Sequence, residues 1–132
     1  MKRRNQTASA LIEAMVGFFI LIPLALAAGD LTVLFQTAQV NEEFAEQLAR
    51  LCSTLPDKTN AVKACQDVIK QYHHGANITD VRLKQLDFDL GLQEVRVSTA
   101  MDVKMPIPFP GFQSQTVEAA VKQPIVSIPA PQ

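Results

Sequence analysis

One carboxylate stands alone in a long apolar stretch near the start of the sequence. Glu13 is the only charged residue between Arg4 and Asp30. The run that follows it, from Ala14 to Gly29, is entirely apolar. A carboxylate costs roughly 2.5–3.5 kcal/mol at the centre of a membrane helix, and less near its end. The position of Glu13 therefore predicts a specific role for its charge, such as pairing with a positive group.

Two cysteines are the next residues whose chemistry is informative. Cys52 and Cys65 are the only cysteines in the sequence. In a domain outside the cytoplasm, such a pair most simply forms a disulfide. Closing a loop of this length would stabilise the fold by roughly 3 kcal/mol in the chain-entropy model. Two buried free thiols are the alternative that the sequence leaves open.

The remaining side chains that commonly act as ligands or catalysts form no recognisable site. His73 and His74 are adjacent, so on a helix they point in different directions. Their spacing from the cysteines matches no zinc pattern. Asp87 and Asp89 share one face of a predicted strand, which is typical of solvent-facing residues. We therefore predict no metal site, no cofactor and no catalytic site, and we expect the chain not to be an enzyme.

The apolar stretch around Glu13 is long enough to cross a bilayer. With Ala8 to Leu11 before it and Leu31 to Phe35 behind it, it exceeds the ~20 residues that a membrane helix needs. Residues 2–4 are basic, and the next Lys or Arg is Arg50. The positive-inside rule therefore places the N-terminus in the cytoplasm and the rest of the chain across the membrane. A net charge of −1 gives no indication of a nucleic-acid partner.

The sequence leaves three fates open for this stretch. Cleavage between Ala8 and Ser9 would retain the apolar run, with Glu13 as the fifth residue of the mature chain. Cleavage after Ala27, at a small-x-small pattern, would remove the run as an ordinary secretory signal. An uncleaved anchor is the third possibility. Nine residues, one of them charged, separate the basic cluster from the apolar run, which disfavours the secretory signal.

The first third of the chain resembles the TadE-like minor pilins and pseudopilins of the tight-adherence pilus system. That family has a short basic leader, a small residue, a glutamate soon afterwards, an apolar helix with an internal proline, and an acidic residue beyond it. The matching residues are Ala8, Ser9-Ala10-Leu11-Ile12-Glu13, Pro23 and Asp30. Ala8 stands where glycine is usual. Near the C-terminus, a β-rich segment, a proline-rich corner and a final strand also resemble the family.

The resemblance implies a leader of residues 1–8, a transmembrane helix of residues 9–30 and a periplasmic pilin-like domain of residues 31–132. A prepilin peptidase would cut between Ala8 and Ser9. Glu13 would then pair with the new amine of a neighbouring subunit and set the register between subunits. The resemblance implies that the protein is needed for assembly of an adhesive pilus. The sequence leaves open whether it stays at the inner membrane, at the base of the filament, or enters the filament. Its partners would be the peptidase, other pilin subunits, the pilus assembly platform and the bacterial inner membrane.

A function from a different class stays open. A signal-anchored or secreted periplasmic binding module, unrelated to pili, would have a similar layout. Small helix-covered sheets can bind peptides at an open edge.

The helix predicted for the membrane continues beyond it. Apolar residues recur there at intervals of three, four or seven, with no proline among them. They are Leu31, Leu34, Phe35, Ala38, Ala45, Leu48, Cys52 and Leu55. We predict one helix from about Ser9 to Ser53, roughly 68 Å long. Its face from Leu34 to Leu55 should pack on the chain's own sheet, and a second helix should run from about Asn60 to His74, with Gly75 as its stop.

Alternating apolar residues predict three antiparallel strands that pack on the helix. The inward residues of the first are Leu86, Phe88, Leu90 and Leu92, with Gly91 near the following turn. Those of the second are Val95, Val97, Thr99, Met101, Val103 and Met105. A proline-rich corner from Pro106 to Gly111 leads to a third strand with Val117, Ala119 and Val121. The predicted fold class is α+β and pilin-like: a long helix, a short helix and a three-stranded sheet.

Overall fold

A computed structural model describes residues 2–55, 57–109 and 112–126. Two helices come first in the chain, α1 (Lys2–Ser53) and α2 (Lys58–Gln71). Three strands follow, β1 (Ile78–Asp89), β2 (Glu94–Phe109) and β3 (Phe112–Pro124). The predicted α+β architecture, with a long helix, a short helix and a three-stranded antiparallel sheet, is confirmed.

Helix α1 runs through the apolar stretch and continues past Asp30 without a break, as predicted. At 1.5 Å per residue, its 52 residues span about 78 Å. It begins at Lys2 rather than near Ser9, because no proline or glycine among the first eight residues interrupts it. Pro23 lies inside the helix, where its missing N–H removes one backbone hydrogen bond.

The C-terminal part of α1 packs against the sheet and forms the core. Its buried residues are Thr37, Asn41, Phe44, Ala45, Leu48, Ala49, Cys52 and Ser53. Most are separated by three or four positions, so they share one face of the helix. The prediction that Phe35 belongs to this face is wrong, since its side chain is 71% exposed. The buried face continues from Thr37 to Val33, one helical turn earlier, which is half-buried. Phe35 lies between these two positions in the sequence and is on a different face of the helix.

The sheet has the order β1-β2-β3, with both pairs antiparallel. Every second residue of the central strand is buried, as predicted: Val95, Val97, Thr99, Met101, Val103 and Met105. The predicted inward residues of β3 are half-buried: Val117, Ala119 and Val121. Strand β2 runs antiparallel to α1, because its end at Ile107 meets Asp30 while Thr99 meets Asn41 further along the helix.

The first strand differs from the prediction. β1 ends at Asp89, so Leu90 and Leu92 lie in the turn and are 82% and 66% exposed. The Asp89 carboxylate accepts hydrogen bonds from the backbone N–H groups of Gly91 and Leu92, which favours a turn over a strand. The strand also begins earlier than predicted. A register shift after Leu83 interrupts the alternation of inward and outward residues, so the first half of β1 lacks the regular pattern that predicts a strand.

Helix α2 begins and ends earlier than predicted. The Asp57 carboxylate caps the first turn by accepting a hydrogen bond from the backbone N–H two residues on, at 3.3 Å. Tyr72 leaves the helix with an extended backbone, and its ring centroid lies 4.6 Å from that of Phe44. Gly75 is therefore not the helix stop. Its carbonyl accepts a hydrogen bond from the Ile78 N–H in the turn that leads into β1.

The proline-rich segment also differs from the prediction. It continues β2 as far as Phe109, which pairs with Phe112 across the reversal of the chain. The ladder between β2 and β3 is interrupted between Lys104 and Phe109. Pro106 lies in this interval and has no N–H to donate, which fits the interruption. The remainder of the predicted corner, Pro110 and Gly111, lies outside the described residues.

Candidate functional site: the exposed helix and its junction with the sheet

The apolar half of α1, residues 8–29, is exposed on all sides. Its large apolar residues are between 39% and 80% exposed. They include Leu11, Ile12, Met15, Val16, Phe18, Phe19, Ile20, Leu21, Ile22, Leu24 and Leu26. The most apolar window has a mean hydropathy of 2.3, and none of it is buried. The helix is long and apolar enough to cross a membrane, and the apolar window itself contributes nothing to the core of the fold.

The predicted processing residues lie at the start of this exposed half. Ala8, Ser9 and Glu13 all occupy exposed positions of α1. Ser9 and Glu13 are four residues apart, so they share a face one helical turn from each other. Among the described side chains, none forms an ion pair with Glu13.

Asp30 connects the end of the apolar stretch to the sheet. Its Oδ1 accepts a hydrogen bond from the backbone N–H of Ile107 at 3.3 Å. The end of the β2–β3 hairpin therefore lies beside the residue at which the apolar stretch ends. A cleft of about 390 Å³ opens at this contact, with almost wholly apolar walls. It is lined by Ala27, Asp30, Leu31, Leu34, Met105, Phe112 and Gln115.

A buried polar contact joins α1 to the two strands that it covers. Asn41 is fully buried; its Nδ2 donates to the Val117 carbonyl at 2.9 Å, and its Oδ1 accepts from the Thr99 hydroxyl at 2.7 Å. Buried polar groups without partners are costly, so these bonds favour one alignment of helix and sheet. The sequence analysis missed Asn41. The available signal was a polar residue four positions before Ala45, on the apolar face of the helix.

The structure brings the two cysteines together at the corner between α1 and α2. Cys52 and Cys65 are both fully buried, and their Sγ atoms lie 2.6 Å apart. If both are thiols, one sulfur donates its S–H to the other. The hydrogen bond between the two sulfurs, and then burial, raise the pKa of Cys52, while the same hydrogen bond lowers the pKa of Cys65. The proximity that a disulfide requires is therefore present, and the covalent state of the pair stays a prediction.

His73, His74 and Asp87 lie on the surface of the folded domain and form no common site. Both histidines are exposed, and the ring of His74 packs edge-on against Tyr72, with centroids 5.7 Å apart. The Asp87 carboxylate lies 3.9 Å from the Lys58 ammonium on the surface. Within residues 2–55, 57–109 and 112–126, no three side chains of His, Cys, Asp or Glu come together in a way that could hold a metal.

No family model, curated protein or solved structure matches this chain. Its function has to be argued from the exposed helix, the glutamate within it and the junction with the sheet.

Proposed function

We propose that this chain is a minor pilin or pseudopilin of the tight-adherence type. It would be a single-pass protein of the bacterial inner membrane, with a cytoplasmic N-terminus and a periplasmic domain built on the sheet. The observation that carries the proposal is the division of α1. The apolar half, residues 8–29, has no buried residue and carries a single carboxylate, while the half from Thr37 onwards packs on the sheet of a small folded domain.

Processing at Ala8–Ser9 is the first step of the proposed function. A prepilin peptidase removes the basic leader and leaves the apolar helix on the mature protein. The buried face of α1 begins at Thr37, so a secretory cut after Ala27 would also leave the domain intact. Folding of the domain is therefore compatible with either cut, and the difference between them is whether the protein keeps its anchor.

The role proposed for Glu13 is to pair with the new amine of Ser9 in a neighbouring subunit. Charges in hydrocarbon are tolerated when they are paired, so this contact lowers the cost of both groups and sets the axial register. A wrong register leaves both charges unpaired among lipid tails. Assembly therefore depends on the carboxylate in a way that folding of the periplasmic domain does not.

Two glycines of the exposed half support close contact between subunits. Beyond the adjacent residues and the nearby backbone of the helix itself, a Cβ atom added at Gly17 or Gly29 would meet no described atom within 4 Å. The chain's own packing therefore does not require glycine there. Small residues on a membrane helix allow the backbone of another helix to approach closely. These positions fit contacts with neighbouring subunits within the membrane.

The test is a set of substitutions at two glutamates of the same helix. Glu13→Ala and Glu13→Gln remove the charge in the apolar half, and Glu43→Gln removes an exposed charge in the other half. We expect the Glu13 variants to be processed and to enter the membrane normally but to assemble no pili. Glu43→Gln should assemble pili as the unmodified protein does. Normal piliation in cells with Glu13→Ala would contradict the proposal.

One observation favours the alternative of a binding module. Among the described residues, β3 pairs only with β2, so its other edge is open along Phe112–Pro124. An extended peptide can add to such an edge through backbone hydrogen bonds. A deletion of the gene that leaves piliation normal but abolishes capture of a periplasmic peptide or protein would support this function instead.

A further inference from the structure

We infer that the hairpin end, by which we mean the described residues Ile107 and Phe112 of β2 and β3, lies in the outer interface of the membrane and contacts lipid. This inference rests on the proposed membrane anchoring of α1. It adds a second membrane contact to the helix and fixes the height of the folded domain above the bilayer.

The first step is the height of the hairpin end relative to the bilayer. The helix rises about 26 Å from Glu13 to Asp30, at 1.5 Å per residue. The hydrocarbon core of a bilayer is about 30 Å thick. With Glu13 at the inner boundary, the outer boundary falls near Val33, and any tilt of the helix moves it further along the chain. Asp30 is hydrogen-bonded to Ile107, so the hairpin end lies at or below that boundary.

The second step is the chemistry at this height. Apolar side chains remain exposed beyond Asp30: Leu31 is 55%, Phe35 is 71% and Phe112 is 63% exposed. The cleft between helix and hairpin is almost wholly apolar. No charged residue occurs between Lys104 and Glu118, although charges are frequent in the rest of the sheet. Aromatic and aliphatic surface without charge is suited to the boundary between headgroups and acyl chains.

The third step is the environment of the Asp30 carboxylate. A charge at the edge of the hydrocarbon needs a polar partner. The Ile107 N–H supplies one from the hairpin itself, and Pro106 beside it has no N–H that would need a partner. The hydrogen bond therefore satisfies a carboxylate and a strand-end N–H at the same depth.

Lipid is a better occupant of this surface than a neighbouring subunit. The depth of the hairpin end is set by a contact within the chain, so the apolar surface meets the bilayer before any assembly takes place. The opposite end of the sheet provides the comparison. Leu90 is even more exposed than Phe112 but lies at the far turn, near the end of α1, well above any membrane.

Three single-tryptophan variants of the full chain test the inference in phosphatidylcholine vesicles. The sequence contains no tryptophan, so each variant reports one position. Phe112→Trp probes the hairpin end, Leu90→Trp the far turn and Phe19→Trp the apolar helix, and all three side chains are exposed, so folding should be preserved. The probes are vesicles with bromine either near the headgroups or in the middle of the acyl chains, at low protein-to-lipid ratio.

We expect Phe112→Trp to emit at shorter wavelength than Leu90→Trp and to be quenched several-fold more strongly by shallow bromine. Phe19→Trp should be quenched by deep bromine and Leu90→Trp by neither. Quenching of Phe19→Trp without quenching of Phe112→Trp would overturn this inference and leave the anchor standing. No quenching of Phe19→Trp would overturn both. Emission from Phe112→Trp that is shifted but unquenched would show contact with protein, and would also overturn the inference.

Discussion

The two halves of α1 belong to one uninterrupted helix but are built for different surroundings. From Ala14 to Gly29 the helix is apolar around its whole circumference, and none of its most apolar window is buried. From Thr37 onwards only one face is buried, and charged residues such as Glu43 occupy the others. Apolar residues on all sides indicate a helix surrounded by lipid or by other helices, whereas a single apolar face indicates a helix that covers a sheet.

The polar residues Asn41 and Glu13 also differ in their surroundings between the two halves of α1. In the half that covers the sheet, Asn41 is fully buried and bonded to two strands of its own chain. In the apolar half, Glu13 has no ion-pair partner among the described side chains. Asn41 thus stabilises the fold of the chain itself, whereas the pairing of Glu13 with a neighbouring subunit is our proposal. Substitutions in the two halves should therefore differ in what they damage.

Truncating one leucine in each half of α1 should give the largest difference in the free energy of unfolding between two matched variants. Leu48→Ala truncates a residue that is 1% exposed and should destabilise the folded domain by about 2–5 kcal/mol. Leu21→Ala, at a position 60% exposed, should leave the stability of this domain unchanged. Urea unfolding of the full chain in detergent micelles, followed through the single tyrosine, Tyr72, measures both. Equal losses in the two variants would contradict the division of the helix.

The next effect concerns the cysteines at the end of the buried half. If Cys52 and Cys65 form a disulfide, its reduction should lower the free energy of unfolding by roughly 3 kcal/mol. The same urea titration with and without dithiothreitol tests this, and the variant with both cysteines changed to serine serves as the control that dithiothreitol should not affect. An unchanged unfolding midpoint on reduction of the unmodified chain would mean that the two cysteines are free thiols.

A smaller effect is expected at the buried amide. Asn41→Ala leaves the Thr99 hydroxyl and the Val117 carbonyl without their partner, at a cost of about 1–3 kcal/mol. Thr32→Ala is the matched change in the exposed part of the helix, since the Thr32 hydroxyl bonds only to the carbonyl of Ala28 in its own helix. It should leave the unfolding midpoint of the domain unchanged. An unfolding midpoint that is also unchanged in Asn41→Ala would contradict the stabilising role of the buried amide.

Long uninterrupted patterns explain which elements could be predicted from the sequence. The apolar stretch and the stripe after it predicted α1, and the unbroken alternation from Val95 to Met105 predicted β2 with its inward face. β1 was mostly missed because a register shift after Leu83 breaks its alternation. The alternating pattern predicted that Leu90 faces the core, but the turn that Asp89 stabilises places this residue in solvent.

Contacts between distant residues were beyond what local patterns can predict. The cysteine pair was identified because it contains the only cysteines in the chain, and the structure places their sulfurs together. The bond from Ile107 to Asp30 joins residues 77 positions apart, and that from Thr99 to Asn41 joins residues 58 positions apart. Such pairs depend on how the sheet is aligned along the helix. The spacing of residues within one helix or strand does not determine that alignment.

The intact mass of the mature protein, isolated from the membrane, shows whether the apolar half of α1 stays on the chain as its anchor after a leader is removed. We predict a mass that corresponds to a chain starting at Ser9. A mass corresponding to a start at Ala28 would show that the apolar half is a discarded signal, and a chain that still starts at Met1 would show that no prepilin peptidase acts on it. Either result would contradict the account.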